Sequence, residues 1–156
     1  VKNKAPMKNI QNDSDYSEIR KRILALSSSS PRKWGKMNLQ QMLVHCTTQL
    51  KMSLGELPSK AQGPAYMRTR LGKWLIFSTI PWPKGAATPE EMNIEKNEFS
   101  LTEIENQKTE LLHYLEKVRA QAKLFPHPFF GELSRKEWSR MIYKHLDHHL
   151  RQFGSH

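Results

Sequence analysis

Apolar residues recur along this chain at the three-and-four-residue spacing of helices with one buried face. Tyr16, Ile19, Ile23 and Leu26 form the first such stripe, and the run Ser27, Ser28, Ser29, Ser30, Pro31 ends it. A second helix is predicted from Asn38 as N-cap, through Leu39, Met42, Leu43, His45, Cys46, Leu50 and Leu54, with Gly55 as its stop. Residues 55–99 are the least regular part. Gly63-Pro64, Pro81-Trp82-Pro83-Lys84-Gly85 and Thr88-Pro89 break it. Between these breaks the spacing predicts a shorter helix from Tyr66 to Ile80, with Leu71, Trp74, Leu75 and Phe77 as its contacts. A connection this long in a compact domain often carries function.

A third long stripe holds Ile104, Leu111, Leu115 and Val118, with Glu105, Lys108, Glu116 and Lys117 facing outward; Ser100 and Glu103 have the spacing of a capping box at its start. A rigid aromatic turn follows, from Leu124 to Gly131. The last helix has the fullest signals: Ser134 and Glu137 as a capping box, Leu133 and Trp138 as a hydrophobic staple, and Gly154 where a left-handed C-cap glycine belongs. Four long amphipathic helices without strand alternation predict an all-α bundle. Residues 1–13 are polar and predict a flexible N-terminal arm, leaving 14–156 as a single domain.

A chain of 156 residues suits one domain with a real hydrophobic core. Its 25 Lys and Arg against 15 Asp and Glu give a formal net charge of +10. Such an excess attracts nucleic acid, anionic membrane or an acidic substrate. It is spread without any run of five or more like charges, which reads as a diffuse basic surface more than a dedicated nucleic-acid site. Cys46 is the only cysteine, so no intrachain disulfide forms, and a cytoplasmic, reducing location is expected. No apolar run approaches the roughly 20 residues that span a bilayer, so no membrane association is expected. The start, Val1 to Pro6, has no apolar signal core and no initiating Met, as expected of a trimmed or processed chain. There is no Gly-rich phosphate loop, no paired-cysteine metal motif and no serine-nucleophile motif.

On the wheel of the last helix, Trp138, Ile142, His145, His149, Gln152 and Phe153 share one face. Two imidazoles four residues apart on an inward face can grip one metal ion. A third, His45, lies inside the second helix beside Met42, Gln49 and Met52. A pair on one helix and a third from a facing helix is how bundles build metal sites. Three neutral imidazoles suit a divalent ion such as zinc or nickel and leave positions open for water or substrate. The plainer reading makes His145 and His149 ordinary partly buried histidines bonded to backbone or solvent. Gln152, one turn beyond His149, either hydrogen-bonds a ligand imidazole or bound water, or packs the helix end. His148 falls on the flank with Lys144 and reads as solvent-facing. Asp147 falls beside Arg140 and Arg151 and reads as an exposed charge. Cys46 points about 100° away from His45 and reads as a core residue. His113 and His127 have no partner identified by the sequence. Trp34, Trp74, Trp82 and Phe77 are candidates for lining a pocket, and Arg68 and Arg70 for meeting an anionic substrate, with core packing and a solvated face as the plainer readings.

Five blocks carry a family resemblance: Trp34-Gly35-Lys36-Met37; Gln41-Met42-Leu43-Val44-His45; Pro81-Trp82-Pro83-Lys84-Gly85; His127-Pro128-Phe129-Phe130-Gly131-Glu132-Leu133; and Lys144-His145-Leu146-Asp147-His148-His149-Leu150-Arg151-Gln152-Phe153. Together, over about residues 14–154, they resemble the DinB-like (YfiT-like) superfamily, in one of its uncharacterised branches of small single-domain bacterial proteins. The resemblance implies a four-helix bundle in up-down-down-up order, with a long crossover between helices two and three carrying an extra short helix. It also implies a divalent metal held by three histidines, which match His45, His145 and His149 here. Members with known activity use low-molecular-weight thiols, as in thiol-dependent S-transferases and a mycothiol-dependent maleylpyruvate isomerase; others are described only as metal-dependent hydrolases. The expectation is therefore a metal-dependent transferase or hydrolase acting on a small-molecule substrate, its ion activating a thiol or water. A homodimer suits a small bundle with exposed aromatics. The rival expectation, from charge, is a non-catalytic basic module that binds nucleic acid or an acidic partner, and a third makes the metal structural only.

Overall fold

The computed structural model describes residues 6–156. Among them the chain forms five α-helices and no strand: α1 Asp13–Leu24, α2 Leu39–Ser53, α3 Arg70–Ile76, α4 Ile104–Ala120 and α5 Arg135–Gln152. Two 3-10 turns, Ala65–Arg68 and Glu90–Met92, lie in the connection between α2 and α4. Helix α2 packs against α4 and α5, and α1 packs against α5 and α4. Ile19 and Ile23 of α1, Leu43 and Leu50 of α2, Leu111 and Leu115 of α4, and Trp138 and Ile142 of α5 are sealed in the shared core. Each such side chain contributes about 1.5–3 kcal/mol through burial, so the apolar stripes are what hold the helices together.

The helix starts follow local chemistry. At α2 the Asn38 side chain accepts the Gln41 N–H at 2.8 Å, and the Gln41 side chain accepts the Asn38 N–H at 2.9 Å. At α5 the expected box forms, with Ser134 Oγ accepting from Glu137 N–H and Glu137 Oε2 accepting from Ser134 N–H. Leu133 and Trp138 are both buried there, and Gly154 takes φ +73° beyond the helix.

Four local expectations are corrected. The capping box of Ser100 and Glu103 does not form. Helix α4 starts at Ile104 with Glu103 as a cap lacking a side-chain bond, too late for Ser100 to reach it. Lys108 does not face outward. It is buried, and its ammonium donates to the carbonyls of Leu24 and Leu26, each at 2.8 Å, at and just beyond the end of α1, where acceptors are left open. The helix expected from Tyr66 to Ile80 shrinks to α3, because the Thr69 side chain caps Gly72 N–H and so separates it from the preceding 3-10 turn. Its contact is Gly72, where a β-carbon would lie 2.2 Å from the Tyr66 carbonyl oxygen. Leu71, Trp74 and Leu75 consequently face solvent at 68, 66 and 51 % exposure. Asp147 is no lone exposed charge either. It accepts from the buried Arg22 guanidinium at 2.7 Å and from Arg151, joining α5 to α1.

Residues 1–5 of the expected arm lie outside the described residues. At its other end the arm is docked: Ile10 is fully buried, its N–H donates to the Ser139 carbonyl at 3.3 Å, and Gln11 N–H donates to Ser139 Oγ at 3.0 Å.

Candidate metal centre

Helix α2 presents His45 toward α5, which presents His145 and His149 from successive turns. One ring nitrogen from each lies within 4.8 Å of the others, and all three residues are buried. The Nε2 atoms of His45 and His145 are 3.0 Å apart. The outer hydrogen bonds explain what those nitrogens are. His45 Nδ1 sits 3.1 Å from the Met92 carbonyl oxygen, which only accepts, so Nδ1 carries the proton and Nε2 keeps its lone pair. His149 Nδ1 donates to Gln152 Oε1 at 2.9 Å. The orientation of that amide is set in turn, because Gln152 Nε2 donates to the Trp34 carbonyl at 2.9 Å. His149 Nε2 therefore also keeps its lone pair. His145 Nδ1 is buried without a partner among the described residues.

Without an ion, His145 Nε2–H donates to the His45 Nε2 lone pair; a cation takes that proton's place once the proton moves to His145 Nδ1. The group of His45, His145 and His149 could hold a metal ion. Its electrostatics suit that role. Burial pushes the His45 imidazole down to about 4 and that of His149 down to about 3, the latter helped by the neighbouring His45. Burial, then the charges of His149 and His45, holds His145 well below the ordinary histidine value. All three are neutral at physiological pH, which is the ligating form.

Gln152 makes the hydrogen bond to the His149 ring that is one of its two expected readings, and it is buried at the helix end as in the other. Its seat depends on Gly35, which takes φ +77° and whose β-carbon, if present, would lie 2.4 Å from Gln152 Nε2. A side chain there would be strained and would collide with the amide that aligns His149.

The three imidazoles open onto a cavity of about 860 Å³, a size usual for small-molecule sites. Trp34 and Trp82 line it, as two of the four aromatic candidates. The Trp82 ring is fixed by donation from Nε1 to the Ile76 carbonyl at 3.1 Å, and stands 6.1 Å from the His145 ring. Trp74 points to solvent, and Phe77 packs on Phe130 instead. Arg68 and Arg70 are not cavity residues. Arg68 donates to the carbonyls of Gln62 and Pro128, tying two loops together, and Arg70 is exposed. His148 is corrected from solvent-facing to a half-buried position in the cavity wall, with Trp34 at 5.8 Å and Trp82 at 6.4 Å, because the segments bearing those tryptophans fold over that flank of α5. Cys46 is sealed in the core, and burial pushes its thiol far up, away from ligation or attack. His113 is exposed on α4.

Two contributors escaped the sequence reading. The Met92 carbonyl has no sequence signature, since any residue supplies one. His127, without an identifiable partner in the sequence, is buried in the cavity wall, with its Nδ1 accepting from the Phe129 N–H at 3.1 Å. Its place in a turn of prolines and aromatics was the available signal.

The helices of the described residues include none long and apolar enough to cross a membrane. Comparison with curated proteins and with solved structures found no match. A family model described as "Protein of unknown function (DUF1569)" matches residues 9–156, and the chain belongs to that family.

Proposed function

We propose that this member of the DUF1569 family is a divalent-metal-dependent enzyme of the DinB-like kind, with His45, His145 and His149 holding zinc or nickel beside a cavity that takes a small-molecule substrate. The observation that carries the proposal is the convergence of three buried, neutral imidazoles from two helices, two of them with lone pairs aimed inward by outer hydrogen bonds, at the wall of an open cavity. When bound, such an ion supplies Lewis acidity that lowers the pKa of a coordinated thiol or water. The chain's own residues do the rest. Met92 and Gln152 fix the ring planes. Trp34 and Trp82 keep the cavity apolar, which strengthens electrostatic effects inside it. Glu95, an acidic residue in the lining, is exposed and paired with Lys36 at 3.3 Å. The ligand set is therefore neutral and leaves an ion's charge undiminished for an anionic thiolate or hydroxide. S-transfer from a low-molecular-weight thiol is the favoured reaction, in line with the resemblance, and hydrolysis the companion.

The same reading takes α1, α2, α4 and α5 as a four-helix bundle in up-down-down-up order, with α3 as the extra short helix of the crossover. A homodimer and a cytoplasmic location go with it.

The test is elemental analysis of untagged protein, followed by zinc and nickel titration of the chelator-treated chain. About one ion per chain is expected, with uptake lost in His145→Ala. Failure to bind either metal overturns the proposal. A His145→Ala protein that loses its thermal stability along with the ion assigns the metal to structure; one that stays folded assigns it to chemistry.

A second reading is favoured by one observation. Residues 57–89 carry Lys60, Arg68, Arg70, Lys73 and Lys84 and no Asp or Glu, and Tyr66, Leu71, Trp74, Leu75 and Ile80 are exposed within that segment. A basic, apolar surface of this kind suits a non-catalytic module for an acidic partner or nucleic acid. It requires association with random DNA or RNA that weakens steeply as salt rises. No association at low salt removes the nucleic-acid version.

A further inference from the structure

Resting on the reading of the cavity as the substrate site, we propose that His127 orients the substrate: its Nε2–H offers a hydrogen bond to a carbonyl or carboxylate oxygen on an otherwise apolar, aromatic ligand.

The proton's place follows from the turn that holds the ring. His127 Nδ1 accepts the Phe129 N–H at 3.1 Å, and a nitrogen that accepts carries no hydrogen. The neutral ring therefore has its proton on Nε2. Burial pushes this imidazole down to about 3, so the donor is the same neutral group throughout the working pH range. The ring cannot swing away. His127 and Gly131 exchange two backbone hydrogen bonds, each 2.8 Å, and Gly131 takes the left-handed backbone, φ +65°, that closes so tight a turn. The imidazole is stacked on Phe130 at 4.6 Å, and the Trp138 ring lies 5.4 Å from it.

What Nε2 meets is the second half of the argument. The residue is only 4 % exposed, yet Nε2 makes no bond to the described residues and is not sealed in the interior. His127 is part of the cavity wall. An acceptor oxygen on a ligand gives this donor the partner that no described residue supplies. The apolar part of the wall selects the ligand's body: Trp34, Trp82, Phe129, Phe130, Ile76 and Met67 present aromatic and aliphatic surface. His127 and His145 line the same cavity. One ligand can therefore address both the donor and the imidazole cluster.

The experiment uses the full-length, metal-free chain and three probes, toluene, acetophenone and benzoate, with affinity read from tryptophan fluorescence. One oxygen-bearing probe is expected to bind about tenfold tighter than toluene, the scale of a single neutral hydrogen bond. His127→Phe is expected to erase that advantage while still binding toluene. His127→Gln, which keeps an amide donor near the Nε2 position, is expected to retain most of it. A gain for acetophenone names a carbonyl ligand, and a gain for benzoate a carboxylate. Equal affinity for toluene and both oxygenated probes overturns the role of His127 but leaves the cavity as a binding site. No binding of any probe overturns both. Nitrogen-15 shifts of the labelled wild-type chain give an independent reading. The Nε2–H tautomer, unchanged between pH 8 and 5.5, is expected for His127, and the Nδ1–H tautomer overturns the proposal.

Discussion

Gly35 stands against Gln152 so closely that its second α-hydrogen takes the place a methyl group would need. A β-carbon there would come within 2.4 Å of the amide nitrogen whose partner oxygen holds His149. Gly35→Ala is therefore expected to act at a distance on the imidazole cluster. Strain at φ +77° and displacement of Gln152 should together lower thermal stability, and metal affinity should fall about 10–100-fold, the usual effect of losing an orienting partner. Gln152→Ala should lose a similar factor in zinc titration. Because both act through the same hydrogen bond, the double variant should cost much less than the product of the two. Multiplying effects would mean that the glycine and the amide are independent.

Acid should destabilise the metal-free chain. His45 and His149 have folded values of about 4 and about 3 against an ordinary value of 6.5, and burial holds His145 down as well. Below 6.5 the unfolded chain binds protons that the folded chain refuses. The stability these rings contribute is therefore fully present above pH 6.5 and lost progressively as pH falls toward 4 and 3. His127 adds in the same direction. Thermal melts of chelator-treated protein should show Tm falling steadily from pH 7 to pH 4. A flat profile across that interval would show that these rings are not held neutral in the interior.

Asp147→Asn tests the link between α1 and α5. The Arg22 side chain is only 6 % exposed, its Asp147 partner 25 %, and Arg22 also donates to the Ser155 carbonyl at 2.8 Å. Removing the carboxylate's charge leaves the buried guanidinium with Glu18, at 3.5 Å, as its acidic partner, at a cost of about 2 kcal/mol after allowing for the exposed side of Asp147. Urea unfolding should register that loss. Arg22→Met in the same background should recover part of it, since no buried charge remains. A loss under about 0.5 kcal/mol would place the pair with ordinary surface ion pairs.

Helix α5 was legible because its relations are local. The Ser134–Glu137 box, the His145–His149 spacing and the bond from His149 to Gln152 all run three or four residues along one helix. The inward face of His45 was legible from the stripe around it; its meeting with α5 is tertiary, offered by the residues only as one alternative and singled out by the family resemblance. The corrected positions share one cause. A helical wheel ranks directions around an axis but knows nothing of neighbouring chain ends. Lys108 faces the open carbonyls of α1, Asp147 faces a buried arginine, and His148 faces two tryptophans brought in by loops. In α3 the apolar residues kept helical spacing, but the smallest residue, Gly72, took the contact, so Leu71, Trp74 and Leu75 turned outward.

The hydrogen bond from His45 to the Met92 carbonyl gives the long connection between α2 and α4 a clasp near its far end. Gln62 grips the same stretch from outside, its Oε1 accepting the Glu90 N–H at 3.0 Å. Whatever draws the His45 ring toward the centre also pulls on this buckle, and whatever twists the ring away releases it. Filling the imidazole cluster should accordingly tighten a segment hydrogen-bonded to it through the Met92 carbonyl, making the connection's resistance to protease a gauge of what the histidines hold.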